Sequence, residues 1–577
     1  MYFAHDPNQS FYYLGEDPPT PRMYREKLLE ANPRIVACDV ETISLKERIA
    51  IGISIATSPT CCFYFPLFPV ESGAVPWHLL RDPDIINIYH NGIFDLGCMT
   101  EYNIKQDIHD TNIMSRLLCH KYNGLQELSW IHQMEVHNAK DMLNEAGAKM
   151  MVQLSEEDVA RKCCQDSMAT FRLFEIFLPQ TNLSYYNVER ATLPIMLKMS
   201  ERGILIDHTV RQSIELQLED DVDLYKNLCE EAEAFNPDSP QQVSYVLAKR
   251  GAYEVFGRLP FTRNKYGRPT SRLSTAVEIL EKMDDPLARL ILEYRNRTKL
   301  LSTYIKPWAN DNRAYTLYHL DAITGRPSST SGGVPPNRNM QNIPGKFSQK
   351  GIQNAHNCRG ILLPDSGTWT SVDLEQVEPR ALAYLSGDRE MAHIFSQPKY
   401  NPDGTRNEEG DIHLQVAIFM SVHRRIGKTM NLAMTYGASD QTLAEHSGIG
   451  NVYRASQLRE MWNHKFPEAA DYIQSKQEEA FRTHRAVSAF GREMRIPDED
   501  EDSPASIKSK AIDYPCQATA ADILKRALII TQDMDVALQI HDELLIDGLE
   551  LPDRFDMIRN IAPFETPVEV KYYERWE

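Results

Sequence analysis

The chain has 577 residues, of which 42% are apolar and 25% charged, a globular mixture that excludes both a single small module and wholesale disorder. At roughly 150 residues per domain, this length predicts three or four domains or subdomains. A formal net charge of −19 excludes a protein that coats nucleic acid non-specifically. It does not exclude an enzyme with a local basic groove, and Ile291–Lys350 offers one, with nine basic residues against three acidic.

In chain order, the first third alternates short apolar runs, Arg34–Val40, Ile51–Ala56 and Ile85–Tyr89, with helical stretches, an α/β rhythm. In Ile35–Glu41 the strand period of two puts Asp39 and Glu41 on one face. Asp95 follows in His90-Asn91-Gly92-Ile93-Phe94-Asp95, and Asp166 sits on a helix predicted over Val159–Phe177. Four carboxylates of this kind suit two Mg²⁺ ions and phosphodiester hydrolysis. The ten cysteines form neither a zinc-like CxxC pair nor a secreted framework, so a reducing, cytoplasmic setting is expected. Met1–Tyr13 has no leader pattern, and no apolar run approaches 18 residues, so no membrane association is expected.

A second unit is expected to start near Leu193 and to be mostly helical as far as Lys306, interrupted at Asn236–Pro240 and Arg263–Pro269. Thr324–Pro344, rich in Gly, Ser, Pro and Asn, reads as an ordered surface loop. Thr368–Val372 is a β-rich run ending in Asp373, with a helical stretch after Arg380. Arg424, Lys428, Leu432 and Tyr436 fall at i, i+4, i+8 and i+12, one helical stripe of two cations followed by an apolar pair, suited to a triphosphate and its base. Val536–Ile546 alternates into and out of a tight turn, which puts His541, Asp542 and Glu543 at a hairpin tip. The acidic run Asp498–Asp502 reads as a solvated loop tip.

The order Asp373-x-x-Gln376-x-Glu378-x-Arg380, Arg424-x3-Lys428-x7-Tyr436-Gly437, Gln539-x-His541-Asp542-Glu543 resembles the family A DNA polymerases. Further matching segments are Thr324-Gly325-Arg326, Asn339–Pro344, Arg359, Gly491-Arg492 with Arg495 and Pro497, and Gln517–Asp522. The early acids, together with Asp110-Thr111 before Met114-Ser115, resemble a DEDD-type 3′-to-5′ proofreading exonuclease. One departure is that the proofreading branch carries Tyr four residues before its last Asp, where this chain has Lys162.

The resemblance implies an α/β and α+β multi-domain fold, with a ribonuclease H-like exonuclease domain over 1–190 and a right-hand polymerase over 191–577. Within the latter it implies a thumb about 193–310, a palm about 311–385 and 505–577, and fingers about 386–504. It implies that Asp373 and Asp542 hold two Mg²⁺ ions, with Mn²⁺ as an alternative, and that Glu543 supports them. Asp39, Glu41, Asp95 and Asp166 would hold the exonuclease pair. Arg424 and Lys428 would grip the incoming triphosphate, with Gln376, Leu432 and His541 also in the nucleotide site. Tyr436 would pack at the template side, and Glu378 would fill the space of a ribose 2′-hydroxyl. Arg326, Asn339, Gln341, Asn342, Arg359 and Gln517 would contact primer-template DNA, with dNTPs as the other partner. A phage-like monomer without a 5′ nuclease domain is expected. Replication accessory proteins remain open, although the thumb has no long insertion to dock a processivity factor. A single-subunit RNA polymerase relative and a silent DNA-binding protein are the alternatives.

Overall fold

In the computed structural model the described residues are 2–6, 11–15, 33–44, 48–67, 75–104, 107–257, 259–263, 269–330, 338–344, 357–403, 405, 407–446 and 451–576. Lys346 and Lys350 of the basic stretch lie outside them. The chain forms two compact units, one of 1–202, 315–341 and 370–571, the other of 203–314, 342–369 and 572–577.

The first unit opens with a seven-stranded mixed sheet built from β1 (Tyr2–Asp6), β2 (Phe11–Gly15), β3 (Ile35–Thr42), β4 (Ala50–Ser58), β5 (Cys61–Pro66), β6 (Ile86–Tyr89) and β7 (His109–Asp110). Its order is β1-β2-β5-β4-β3-β6-β7; β3 pairs parallel with β6 and β6 with β7, and the remaining neighbours are antiparallel. The helix Glu156–Phe177 covers β3, β4 and β5. Ser155 starts that helix by accepting from Asp158 N at 3.1 Å, and three acids in the first turn suit the positive end of the helix dipole. The helix Leu183–Arg202 continues past Leu193 with Pro194 in its interior, and the chain leaves this unit only after Arg202.

A second sheet of the same unit takes the order Val536–Ile540, Glu543–Asp547, Trp369–Leu374, Val568–Tyr573, and the 27-residue helix Pro504–Ile530 belongs to the same unit. The helices Val377–Ser386, Ile412–Met420, Arg424–Thr435, Val452–Lys465 and Pro467–Thr483 share one apolar core, with Leu382, Val416, Met430, Trp462 and Phe466 almost fully buried. Buried Asn431 ties three of them together, donating to Ile412 O at 3.2 Å and accepting from Trp462 Nε1 at 2.9 Å.

The second unit is mainly helical. His208–Ala232, Pro240–Lys249 and Pro286–Leu300 bury Cys229, Val243, Leu247, Leu287 and Ile291 against one another. Asp285 caps the last of these, accepting from Leu287 N at 2.7 Å with Pro286 at the first helical position, and it also pairs with Arg250 at 2.9 Å. A small sheet, Arg313–Ala314, Ile204–Ile206 and Leu362–Leu363, closes the unit.

Candidate active site

Asp373 lies near the end of the strand Trp369–Leu374, and Asp542 lies in the two-residue turn between Val536–Ile540 and Glu543–Asp547. Ile540 pairs with Glu543 across that turn, and Leu374 N donates to Asp542 O at 3.0 Å, so the sheet brings the two acids together. Burial, then Asp542 and Glu543, push the Asp373 carboxyl up to about 6. Burial also raises Asp542, against the lowering pull of Arg326 and His541. Glu543 is held by Ser371 Oγ, which donates at 2.6 Å. Both turns carry a non-glycine residue in the left-handed region, Gln376 at φ 51° and His541 at φ 49°, so backbone strain gathers beside both acids. Buried Gln376 Oε1 has no hydrogen-bond partner among the described residues.

Glu378, in the first turn of Val377–Ser386, is 5% exposed and has two partners. Tyr436 Oη donates to its Oε2 at 2.6 Å, and Arg326 pairs with its Oε1 and reaches Asp542 Oδ1 at 3.9 Å. Arg326 follows Gly325, whose φ of 74° would strain any L side chain and where a Cβ would stand only 3.0 Å from the ends of buried Arg492 and Lys525. Gln341 Nε2 donates to Gln539 Oε1 at 2.9 Å, and Gln539 Nε2 donates to His541 O at 2.7 Å. Arg326, Gln341, Gln539, His541 and Asp542 line one recess of about 50 Å³.

Arg424, Lys428 and Leu432 share the helix Arg424–Thr435, and Tyr436 ends it as the C-cap residue. Gly427 lets this helix lie against Ile412–Met420, because a Cβ there would stand 2.3 Å from His413 O. Lys428 is exposed and Leu432 half-buried, but Arg424 is paired with buried Asp411 at 2.8 Å, a partner absent from the sequence reading. Asn339 Oδ1 accepts from Ser329 Oγ at 2.8 Å, and Gln517 donates to Asp513 at 2.6 Å. Asn342 and Arg359 belong to the second unit, where Tyr304 Oη donates to Asn342 O at 2.9 Å and the Arg359 guanidinium lies over Trp576 at 4.5 Å.

A separate carboxylate group sits on the seven-stranded sheet. Asp39 and Glu41 project from β3, which has an irregular register just after Glu41. Asp95 Oδ1 accepts from Val40 N at 3.1 Å, and Asp166 comes from the covering helix. Burial raises all four carboxyls, and mutual repulsion raises Asp39 further. Lys162, one turn before Asp166, bonds Asp166 Oδ2 at 2.6 Å and pairs closely with Glu41 Oε1. Burial alone lowers its ammonium, yet Asp166, Glu41 and Asp39 outweigh that and lift it well above the usual lysine range. Cys163 Sγ lies 3.4 Å from Asp39 Oδ2; burial keeps that thiol protonated, so it donates. Its place on the helix beside Lys162 was the available signal, which the sequence reading left unused. Asp110 caps the helix Thr111–Leu117 and accepts from Gly92 N at 2.7 Å, which fixes the start of the helix Gly92–Cys98 that carries Asp95.

The sequence model of DNA polymerase family A matches residues 208–554. The chain is 27% identical to DNA polymerase I of Chloroflexus aurantiacus over 575 residues, covering 90% of this chain and 58% of that protein. It is 26% identical to DNA polymerase I of Pseudomonas aeruginosa over 579 residues, covering 91% and 60%. The chain thus spans about three fifths of the length of these relatives. Its fold is similar to that of the POL domain of Pol1 from M. smegmatis, solved in complex with DNA primer-template and dNTP, with a TM-score of 0.74, 20% identity and coverage of 97% of this chain and 99% of that one. Among the described residues, no helix is long and apolar enough to cross a membrane. With a match that takes in Asp373, the helix of Arg424 and Lys428, and the Asp542 turn, this chain belongs to DNA polymerase family A.

Proposed function

We propose that this chain is a template-directed DNA polymerase that adds dNMP to a primer 3′-hydroxyl. The observation that carries the reading is the Asp373–Asp542 pair, two half-buried acids that the sheet brings together, one near a strand end and one in the adjoining hairpin turn, with Asp542 helping to raise the Asp373 carboxyl. The donor set, carboxylate oxygens with Glu543 alongside, fits hard divalent ions, Mg²⁺ with Mn²⁺ as an alternative. Ions bound there would supply Lewis acidity to the 3′-hydroxyl and charge neutralisation to the departing pyrophosphate. In the transfer, the O3′–Pα bond forms, the bond from Pα to pyrophosphate breaks, and the hydroxyl proton leaves to solvent.

The chain's own residues position the reactants. Glu378, fixed by Tyr436 and Arg326, closes the space a ribose 2′-hydroxyl would need. Exposed Lys428 receives the triphosphate, and Arg424 joins it by exchanging Asp411 for phosphate, with Gln376 and His541 flanking and Leu432 against the nucleotide. Tyr436 packs at the template side. Arg326, Asn339, Gln341 and Gln517 meet primer-template DNA, several of them in the minor groove where correct pairs look alike, and Asn342 and Arg359 are read as DNA contacts in their own right. In this reading residues 1–190 are a 3′-to-5′ exonuclease domain and 191–577 the thumb, palm and fingers. Asp39, Glu41, Asp95 and Asp166 then trim mispaired 3′ ends, more slowly for having Lys162 among them.

Single-nucleotide extension of a primed template tests this reading. Each dNTP is expected to add opposite its complement, at least a hundredfold more efficiently than the matching NTP. Preference for NTPs, or addition indifferent to the template base, would refute it.

A further inference from the structure

We propose that Lys162 is a built-in cation of the Asp39, Glu41, Asp95 and Asp166 site, standing where one of two divalent ions would otherwise bind, so that the site takes a single divalent ion. The inference rests on the exonuclease reading above and gives that site a stoichiometry.

The position of the ammonium is the first argument. It bridges two of the four carboxylates, at 2.6 Å from Asp166 Oδ2 and in close contact with Glu41 Oε1, from a side chain only 11% exposed. A lysine with a path to water extends its ammonium outward, since holding it inside costs hydration. This one is turned inward against acids from two different elements, strand β3 and the helix Glu156–Phe177.

Charge is the second argument. Four carboxylates and one ammonium leave a formal charge of −3, which one divalent ion brings to −1. A second ion would bring the site to +1 and set a dication against a buried ammonium. Two ions and Lys162 therefore compete for the same carboxylates, and the covalently attached cation is always present.

A third observation indicates that the lysine does not satisfy the site completely. Asp166 Oδ1 is buried with no hydrogen-bond partner among the described residues, although its sister oxygen takes Lys162. Among the described residues Asp39 Oδ2 receives only the weak S–H donor of Cys163, at 3.4 Å. A buried carboxylate oxygen left bare is costly unless something binds it. These oxygens are the ligands left for one hard cation.

The test counts Mn²⁺ by electron paramagnetic resonance in the full chain carrying Asp373→Ala and Asp542→Ala, which removes the other carboxylate pair. The ions counted are those lost when Asp39→Ala is added. One ion is expected with Lys162 in place, two with Lys162→Met or Lys162→Tyr, and one with Lys162→Arg, which keeps the charge. In chelator, Lys162→Met is expected to melt below the Lys162 chain, and saturating Mn²⁺ is expected to close that gap. Two ions with Lys162 present, or equal non-zero counts with Lys162 and Lys162→Met, would overturn the proposal while leaving the exonuclease reading intact. No ion in any of the chains would overturn the exonuclease reading and the proposal with it. If neither neutral variant folds, the count on the Lys162 chain decides, one ion in favour and two against.

Discussion

Glu378 joins two separate elements of the candidate site, since one carboxylate takes Tyr436 from the helix end and Arg326 from the Gly325 loop. Replacing it with Ala frees both partners and, in the proposed reading, opens a space beside the sugar. Glu378→Ala is expected to raise ribonucleotide incorporation relative to deoxynucleotide incorporation by tenfold or more, with synthesis retained but slower; unchanged sugar discrimination in single-turnover assays would refute the assignment. Asp373 gives a pH signature. Its carboxyl is raised from 3.8 to about 6 in the fold, so between those values the native chain holds more protons than the unfolded one. Stability of the metal-free protein therefore falls as pH rises through that window, and the full penalty, on the order of 3 kcal/mol, stands above pH 6. Asp373→Asn removes the titration: in chelator, its melting temperature is expected to match wild type near pH 4 and to exceed it by a few degrees at pH 7. A difference independent of pH would contradict this.

The elements that carry the acids were legible in the sequence, because strand alternation and tight turns are local. The strand Ile35–Thr42, the helix Arg424–Thr435 and the His541-Asp542 turn all lie where period and turn chemistry place them. Partnerships between distant elements were not legible. Nothing in the spacing of Arg424 reveals that Asp411, the cap of the preceding helix, holds its guanidinium. Nor does a motif reveal that Arg492 is buried in an ion cluster instead of facing a groove. That cluster joins the helix Leu183–Arg202 to the helix Pro504–Ile530. Glu189 binds Lys525 at 2.5 Å and pairs closely with Arg492, and Asp522 takes Arg492 at 2.8 Å, all of them at most 5% exposed. Despite burial, which raises it, Arg492 and Lys525 hold the Glu189 carboxyl at about 2. Removing that charge strands two buried cations beside one acid, a loss of about 3–5 kcal/mol. Glu189→Gln is expected to lower the melting temperature by several degrees and to slow extension by loosening the Gly325 loop that carries Arg326. An unchanged melt would show that the cluster contributes little.

At the scale of the molecule, the two carboxylate groups stand on different sheets of one compact unit, the seven-stranded sheet for Asp39 and Glu41 and the four-stranded sheet for Asp373. The change from α/β alternation to a mainly helical stretch was readable from hydrophobic period. The exact point of change was not, because the helix Leu183–Arg202 continues across Leu193 and the second unit begins at Gly203, where φ is 60°. The central claim is that Asp373 and Asp542 carry nucleotidyl transfer, and single-turnover primer extension by Asp373→Ala and Asp542→Ala, alongside DNA-binding affinity, tests it most directly. In the proposed reading each substitution removes a charged ligand from the site where a transferring phosphate must be neutralised. The account predicts extension reduced by three or more orders of magnitude in either variant with DNA affinity within a few-fold of wild type. Near-normal extension by either one would contradict it.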